Sequence, residues 1–292
     1  MIVIGCSHGK HLAPKIAKKA RIPYSDLSVD KFPDHELHIT FGRTDFKGRK
    51  VFLVQSFYGE IDSCLIEVML AAKSAKEMGA SSVSLMAPYF PYFRQDTWFS
   101  RGEIPTIHFL GQIMDSVLDE IFILDPHLHR EKTLSHIFKI HCHKITANPM
   151  IAERIKKTRK PLIVGPDYES YRWAKETADI IGAESTILEK TRHSSRRVDV
   201  RFRDHVQIGG KTIILIDDII STGNTLIKTI KKLKALGIKE IACYAVHGIF
   251  AENALVKLKR TGVKVITTNS IPNPVAQIDI SGLFAEMIQK AH

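Results

Sequence analysis

The chain has 292 residues, of which 44% are hydrophobic, and its formal net charge is +11 at pH 7. This length predicts two domains with full cores, and no apolar run is long enough to cross a bilayer. The positive charge favours an anionic partner. Because aromatic and basic residues are not interleaved, small phosphorylated ligands are favoured over nucleic acid or a membrane. The N-terminus is typical of a first strand rather than a signal peptide, and four cysteines without CxxC spacing are typical of a reduced, cytoplasmic protein.

The first half of the chain alternates apolar strands with helices. Buried strands are predicted at residues 2–5, 50–54, 82–87 and 120–124, and helices at 12–20 and 62–78. Residues 31–39 predict a turn that leads into an alternating strand, with Phe32 beside the acids Asp34 and Glu36. From the residues alone, a simple hairpin accounts for this segment.

Two polar segments of the first half follow buried strands. Arg94, Gln95 and Asp96 lie in a loop after the third strand, where an arginine fork fits phosphate oxygens and a glutamine can read a base edge. His127 follows the fourth strand, and open α/β sheets bind ligands at the ends of parallel strands. A rigid packed loop and an ordinary surface histidine are the alternatives.

A later strand carries two histidines at alternate positions. His141 and His143 flank Cys142, so both imidazoles lie on one face of the predicted strand. Zinc is conceivable there, but without clear further ligands the pattern favours ordinary surface histidines.

The second half contains further candidate residues after its predicted strands. It begins with a helix near residues 148–157 and a strand at 161–164. Asp167 follows that strand, and a strand at 185–188 leads into a basic turn that contains Lys190 and Arg192. Such turns are usually solvated, so the residues alone leave the role of the two cations open.

The most informative stretch is residues 211–225, KTIILIDDIISTGNT. A buried strand ends in two adjacent carboxylates, Asp217 and Asp218, and a hydroxyl-rich loop then leads into a helix. Unpaired N–H groups and the dipole at a helix N-terminus attract phosphate, and glycine and asparagine tolerate the positive φ that lets such groups converge. The carboxylates suit a ribose diol or a magnesium ion, whereas a simple helix cap leaves them unexplained. The predicted phosphate cradle consists of Ser221, Thr222, Gly223, Asn224 and Thr225.

The two halves repeat one order of elements. Residues 50–57 and 211–218 both have the pattern of a buried strand and a following loop. Residues 71–90 and 230–250 both have the pattern of a helix, a glycine and a strand. The repetition indicates an internal duplication with a boundary near residues 144–150.

This duplication predicts two α/β domains, each with a mainly parallel sheet flanked by helices. We place the first at residues 1–146 and the second at residues 147–292. The acidic pair of the second half corresponds to Gln55 and Ser56 in the first. The first half therefore cannot bind the same ligand by the same chemistry.

Several segments together resemble the ribose-phosphate diphosphokinases, the enzymes that make 5-phosphoribosyl diphosphate (PRPP). The stretch IDDIISTGNT resembles the PRPP-binding motif of the phosphoribosyltransferase fold, in the wording of archaeal-type members of that family. So many matches in one order are not expected by chance. The other matching segments span the chain as FPDHE at 32–36, PYFRQD at 91–96, DPH at 125–127, PDYES at 166–170, KTR at 190–192, VHGIF at 246–250 and TNSIP at 268–272.

The resemblance implies a fold, an activity and a site. It implies two tandem phosphoribosyltransferase-type domains, in which ATP gives its β,γ-diphosphate to O1 of ribose 5-phosphate with Mg²⁺ as cofactor. It also implies a homodimer or higher homo-oligomer, because in the family residues like 32–36 reach the ATP site of a neighbouring subunit. The implied roles are ATP binding by Phe32, Asp34, Glu36, Arg94, Gln95, Asp96 and His127, ribose 5-phosphate binding by Asp217, Asp218 and residues 221–225, metal binding by His127 and Asp167, and catalysis by Lys190 and Arg192.

The chain also departs from the family pattern, and two other functions stay open at this point. A PRPP-consuming phosphoribosyltransferase would share residues 213–225 but would not need residues 32–36 or 94–96. A non-catalytic regulatory homologue would keep the fold and lose reactive residues. The departures are Asn224 and His35 at glycine positions, Glu169 and Ser170 in place of small residues, and Thr97 and Trp98 in place of basic ones.

Overall fold

The computed structural model describes residues 1–128, 133–192, 198–203 and 206–290, and for residues 189–192 and 198–201 it describes the backbone alone. The chain forms two compact units, each built on a mainly parallel seven-stranded sheet with flanking helices, so the predicted α/β class is confirmed. The first unit contains Met1–Ile145 and the segment from Ile280 onward, and the second contains Thr146–Asp279. None of the described helices is both long enough and apolar enough to cross a membrane.

The sheet of the first unit has the strand order β3-β2-β1-β4-β5-β6-β7, with β2 and β3 antiparallel and the other described pairs parallel. Its elements are β1 (Ile2–Gly5), α1 (Ala13–Ala20), β2 (Tyr24–Lys31), β3 (Leu37–Phe41), β4 (Lys50–Val54), α2 (Ile61–Glu77), β5 (Ser82–Ala87), α3 (Thr106–Asp115), β6 (Glu120–Leu124), β7 (His141–Ile145) and the C-terminal α8 (Ser281–Lys290).

The sheet of the second unit has the order β10-β9-β8-β11-β12-β13-β14, with β9 and β10 antiparallel. Its elements are α4 (Asn148–Ile155), β8 (Pro161–Gly165), α5 (Tyr171–Ile181), β9 (Glu184–Arg192), β10 (Val198–Phe202), β11 (Thr212–Ile220), α6 (Asn224–Ala235), β12 (Ile241–Gly248), α7 (Ala254–Lys259), β13 (Lys264–Thr268) and β14 (Ala276–Ile278).

The two sheets have the same strand order, as expected from an internal duplication. β4 is the fourth strand across its sheet and β11 is the fourth across the other, so the aligned stretches 50–57 and 211–218 occupy equivalent places. Both strands are apolar and almost wholly buried, because each lies between two parallel neighbours. Parallel strands end at one edge of a sheet, and each unit collects its candidate residues there.

Two strands extend further than the sequence analysis predicted. β9 continues to Arg192 because it pairs antiparallel with β10, so Lys190 and Arg192 lie on a strand rather than in a turn after one. β11 continues to Ile220 because it pairs with β12, with Asp217 opposite Ala245. Asp217 and Asp218 therefore lie inside a central strand, two to three residues before its end.

The last helix lies with the first unit, although the sequence analysis placed it in the second half. α8 buries Phe284, Ala285 and Ile288, and it packs on α1, which buries Ile16 and Ala17 on its apolar face. Two amphipathic helices that share an apolar stripe bury it against each other. The sequence of either helix shows that it has an apolar stripe, but not which other helix covers that stripe.

Candidate active site

The acidic pair of the second unit lies inside β11, near the C-terminal end of that strand. Asp218 is buried, Asp217 is partly exposed, and the Asp218 N–H donates to Asp217 Oδ1 at 3.1 Å. Burial, followed by the negative charges of Asp218 and Asp167, raises the pKa of Asp217 well above its usual range. Three carboxylates thus lie within electrostatic range of one another. A ligand that brings hydroxyl donors or a cation would relieve their repulsion.

The predicted phosphate cradle follows directly on that pair. Gly223 has φ 69° and is the N-cap of α6, so the position requires the left-handed backbone that glycine adopts freely. The cap has no side chain to accept the first helical N–H groups, and the first turn has no acidic residue. The N–H groups at the start of α6 are therefore suited to an anion. The hydroxyl residues Ser221 and Thr222 are partly exposed at the same place.

One detail of the predicted cradle is wrong. The sequence analysis allowed positive φ at both Gly223 and Asn224, but Asn224 is the first residue of α6, and Gly223 alone of the two has a positive φ. Asn224 therefore contributes a helical N–H group rather than a second left-handed turn. Thr225 follows it in the first helical turn and is exposed.

The loop after β8 is closed by a residue that sequence reasoning treated as a departure. Ser170 is buried, its hydroxyl donates to Asp167 Oδ1 at 2.9 Å, and its N–H donates to the same oxygen at 3.0 Å. The Asp167 N–H donates in turn to Ser170 Oγ at 3.1 Å. Ser170 thus holds the Asp167 carboxylate in one orientation, and Oδ2 accepts no hydrogen bond from the described residues. Glu169 is exposed beside this pair.

The predicted catalytic cations lie at the end of β9. Lys190 pairs with Val200 and Arg192 with Val198 in the β9–β10 ladder. Their side chains are outside the described part of the structure, as are residues 193–197 between the two strands. Their catalytic role therefore stays a prediction.

In the first unit, Arg94, Gln95 and Asp96 lie on an ordered loop after β5. The Gln95 N–H donates to Tyr92 O at 2.9 Å, which closes a turn, and Thr106 Oγ1 donates to Gln95 Oε1 at 2.7 Å. Asp96 is buried, whereas Arg94 is exposed and has no partner among the described residues. An exposed guanidinium on a fixed turn suits an anionic ligand.

Aromatic packing fixes the base of that loop. Phe93 is 4% exposed, and its ring lies 5.8 Å from that of Phe90. Phe90 also packs edge-on against Phe57 and Phe138. The rigid packed loop, one of the two alternatives from the sequence analysis, is therefore present at the base of this segment. Ligand binding by Arg94, Gln95 and Asp96 stays a prediction.

The 32–36 hairpin connects β2 and β3 and is wholly exposed. The Phe32 N–H donates to Glu36 O at 2.9 Å, and the His35 N–H donates to Phe32 O at 2.8 Å. His35 has φ 72°, which explains why glycine suits this position. Phe32, Asp34 and Glu36 all face solvent, and Phe32 is 50% exposed.

The histidines near β6 and β7 have different environments. His127 is partly exposed two residues after Asp125, which directly follows β6 and has φ 35°. His143 stacks on Phe122 with ring centroids 4.3 Å apart, and its Nε2 lies 3.9 Å from Glu120 Oε1. These contacts give His143 a packing role.

The first unit has a polar network where the second has its cradle. The fully buried Gln55 donates to Glu67 Oε2 at 3.0 Å and accepts the His8 N–H at 2.9 Å. Glu67, 2% exposed, also accepts the Ser7 N–H at 2.7 Å and the Ser7 hydroxyl at 2.5 Å. The N–H and hydroxyl donors of Ser7 are therefore already paired with Glu67, a carboxylate of the chain itself. This agrees with the expectation that the first half cannot use the chemistry of the second.

Two family models match the chain, one in its first part and one in its second. The family model for the N-terminal domain of ribose phosphate pyrophosphokinase matches residues 1–116, and the phosphoribosyl transferase domain model matches residues 134–283. The chain is 35% identical to the ribose-phosphate pyrophosphokinase of Pyrococcus furiosus, over 96% of this chain and 97% of that one. It is 32% identical to that of Methanothermobacter thermautotrophicus, over 99% and 100% of the two chains.

Fold and site together define a two-domain protein of the phosphoribosyltransferase type. The crystal structure of phosphoribosylpyrophosphate synthetase from Mycobacterium smegmatis has the same fold, with a TM-score of 0.86 at 24% identity over 99% of this chain and 98% of that one. The identity to both pyrophosphokinases extends over almost the whole of this chain. The chain belongs to the ribose-phosphate pyrophosphokinase family.

Proposed function

We propose that the protein is a ribose-phosphate pyrophosphokinase that transfers the β,γ-diphosphate of ATP to O1 of ribose 5-phosphate, with PRPP and AMP as products. One observation carries this proposal. The acidic pair lies near the C-terminal end of β11, and residues 219–222 connect it to the left-handed Gly223 and the uncapped N-terminus of α6. That arrangement offers carboxylate acceptors for a sugar diol and N–H donors for a phosphate on one continuous stretch.

The proposed ribose 5-phosphate site follows from that stretch. The 5-phosphate would accept hydrogen bonds from the N–H groups of residues 223–225 and from the hydroxyls of Ser221, Thr222 and Thr225. The ribose hydroxyls would donate to Asp217 and Asp218. Because both carboxylates are held on a central strand rather than on a loop, the sugar would be fixed relative to the phosphate.

Magnesium is the proposed metal. Oδ2 of Asp167, which accepts no hydrogen bond from the described part of the chain, suits a hard cation with oxygen ligands, and so does the mutual repulsion of Asp167, Asp217 and Asp218. By resemblance to the family, His127 of the first unit would contact the metal and the ATP phosphates. When bound, magnesium would neutralise charge on the diphosphate that is transferred.

The remaining roles rest on the family pattern. Arg94 would contact ATP phosphates, Gln95 would contact the base, and residues 32–36 would complete the ATP site of a neighbouring subunit. Lys190 and Arg192 would stabilise charge on the β-phosphoryl group during an in-line transfer, which depends on positioning and electrostatics more than on covalent chemistry. The proposed location is the cytosol, because the four cysteines are free thiols.

The proposal is tested by the release of AMP from ATP. We expect AMP and PRPP in equal amounts, and only when ribose 5-phosphate and Mg²⁺ are both present. A parallel reaction with PRPP and free purine or pyrimidine bases tests the alternative of a PRPP-consuming enzyme. Formation of nucleotide there, without AMP release from ATP, would overturn the proposal in favour of a phosphoribosyltransferase. No turnover in either reaction would favour the regulatory homologue.

A further inference from the structure

The N-cap and first turn of α2 contact two segments that are distant in sequence. Asp62 accepts the Tyr92 hydroxyl at 2.5 Å, and Glu60 forms an ion pair with Lys31. Tyr92 is two residues before Arg94, and Lys31 directly precedes Phe32. This end of α2 therefore contacts the loop that contains Arg94 and the base of the 32–36 hairpin, two segments that are proposed to bind ATP.

The backbone of Tyr92 shows why its side chain needs an anchor. Its φ is 65°, a left-handed conformation that a bulky L-residue rarely adopts and that persists only where surrounding contacts enforce it. Its carbonyl accepts the Gln95 N–H at 2.9 Å, so the strained residue is also the first residue of the turn that presents Arg94. The hydrogen bond to Asp62, followed by burial, raises the pKa of the Tyr92 phenol, which therefore stays a donor.

We propose that Tyr92 and Asp62 are positioning residues for ATP, and that their hydrogen bond fixes the turn of residues 92–95. This inference rests on the proposed function. Thr106 donates to the Gln95 side chain, and Phe93 packs in the aromatic core. The ring of Tyr92 packs against that core, and its hydroxyl links the turn to α2 through Asp62. The ion pair of Glu60 with Lys31 is exposed and contributes little by comparison.

Kinetics of three variants test this role. Loss of one hydrogen bond to a charged group in Tyr92→Phe or Asp62→Ala should raise the KM for ATP about fivefold or more. The KM for ribose 5-phosphate and the melting temperature should stay the same, because that substrate binds the second unit. Asp62→Asn keeps an acceptor oxygen and should lie close to the wild type. The double variant Tyr92→Phe/Asp62→Ala should be no worse than either single variant, because both remove one interaction.

Tyr24→Phe is the matched control. Tyr24 also donates its hydroxyl to an aspartate, Asp26, but on β2 and away from residues 92–96, so this variant should leave the KM for ATP unchanged. A wild-type KM for ATP in Tyr92→Phe would overturn the proposal. An equal rise in both KM values would do so too, because it would indicate a general structural defect.

Tryptophan fluorescence gives a readout that does not depend on catalysis. The chain has two tryptophans, of which Trp98 is 61% exposed on the same loop and Trp173 is 2% exposed in the second unit. Quenching by acrylamide therefore reports mainly on Trp98. We expect Tyr92→Phe and Asp62→Ala to change this quenching while Tyr24→Phe does not, and unchanged quenching in all three would overturn the proposal. If the wild type releases no AMP, the proposed function fails, and quenching still decides whether Asp62 holds the loop.

Discussion

Asp217 combines a cost to stability with its proposed role in substrate binding. Burial and the charges of Asp218 and Asp167 raise its pKa above the unfolded value of about 4. The folded state therefore binds this proton more tightly, and ionisation destabilises the fold at all pH values above the raised pKa. That penalty disappears as the pH falls towards the unfolded value.

Replacement of this charge should separate stability from activity. We expect Asp217→Asn to raise the melting temperature at pH 7.5, by an amount that shrinks towards pH 4. The same variant should lower kcat/KM for ribose 5-phosphate on the order of 10–100-fold. Thermal scans across pH and initial-rate assays check both effects, with the exposed Asp179→Asn on α5 as control. A lower melting temperature for Asp217→Asn at pH 7.5 would contradict the assigned electrostatics.

His35 tests the backbone argument at the hairpin. Its φ of 72° costs an L-residue about 1–2 kcal/mol, and a β-branched residue more. We expect His35→Gly to keep or increase the hydrogen-exchange protection of the Phe32 and His35 amides, and His35→Val to lower it about fivefold or more. Equal protection in the two variants would show that the turn does not require this conformation.

At the scale of elements, helix α2 supplies Glu67, the carboxylate that accepts hydrogen bonds from Ser7 and Gln55 in the first unit. Glu67→Ala removes the acceptor of the Ser7 N–H and one of the two acceptors of Gln55 Nε2, the other being Ser7 Oγ. We expect the free energy of unfolding to fall by about 3 kcal/mol, as for other buried polar groups that lose a partner. Chemical denaturation measures the change, and Glu77→Ala, exposed on the same helix, is the control. A loss no larger than that of the control would mean that the network contributes nothing.

The β9–β10 hairpin carries the prediction about catalysis. Lys190 and Arg192 lie at the end of β9, and cations aimed at the transferring group help most in the transition state. Lys190→Ala and Arg192→Ala should each lower kcat on the order of 10²–10³-fold with small changes in KM. Their combined loss should be less than additive, because both act on one group.

Arg196 and Arg197, outside the described residues, are the controls for that hairpin. They carry the same charge but fall outside the matched KTR segment, so their alanine variants should lose little activity. Comparable losses in Arg196→Ala and Lys190→Ala would show a diffuse basic patch rather than specific catalytic residues.

At the scale of the whole molecule, we predict that the chain self-associates through the exposed hairpin. Phe32 is 50% exposed beside the exposed Asp34 and Glu36, and the resemblance implies that this segment reaches a neighbouring subunit. Light scattering should therefore give a mass at least twice the chain mass of 32.9 kDa. A fully active species with the mass of one chain would contradict this prediction.

Local patterns in the sequence determined the α/β class, the duplication and the acidic stretch that leads into α6. These features depend on residues close together in the chain, where apolar periodicity, glycine and a helix start have direct structural consequences. The need for positive φ at Gly223 was predictable for the same reason. That Asp217 and Asp218 follow the apolar run of β11 also followed from order alone, although the strand continues past them to Ile220.

Tertiary structure decided the contacts between distant residues. Ser7 meets Glu67 across 60 positions, and Tyr92 meets Asp62 across 30. Neither contact can be predicted from the periodicity of the sequence, because each depends on the order of the strands in the sheet. The strands β9 and β11 likewise continue beyond their apolar runs because neighbouring strands pair with them, and α8 lies with the first unit because its apolar stripe matches that of α1.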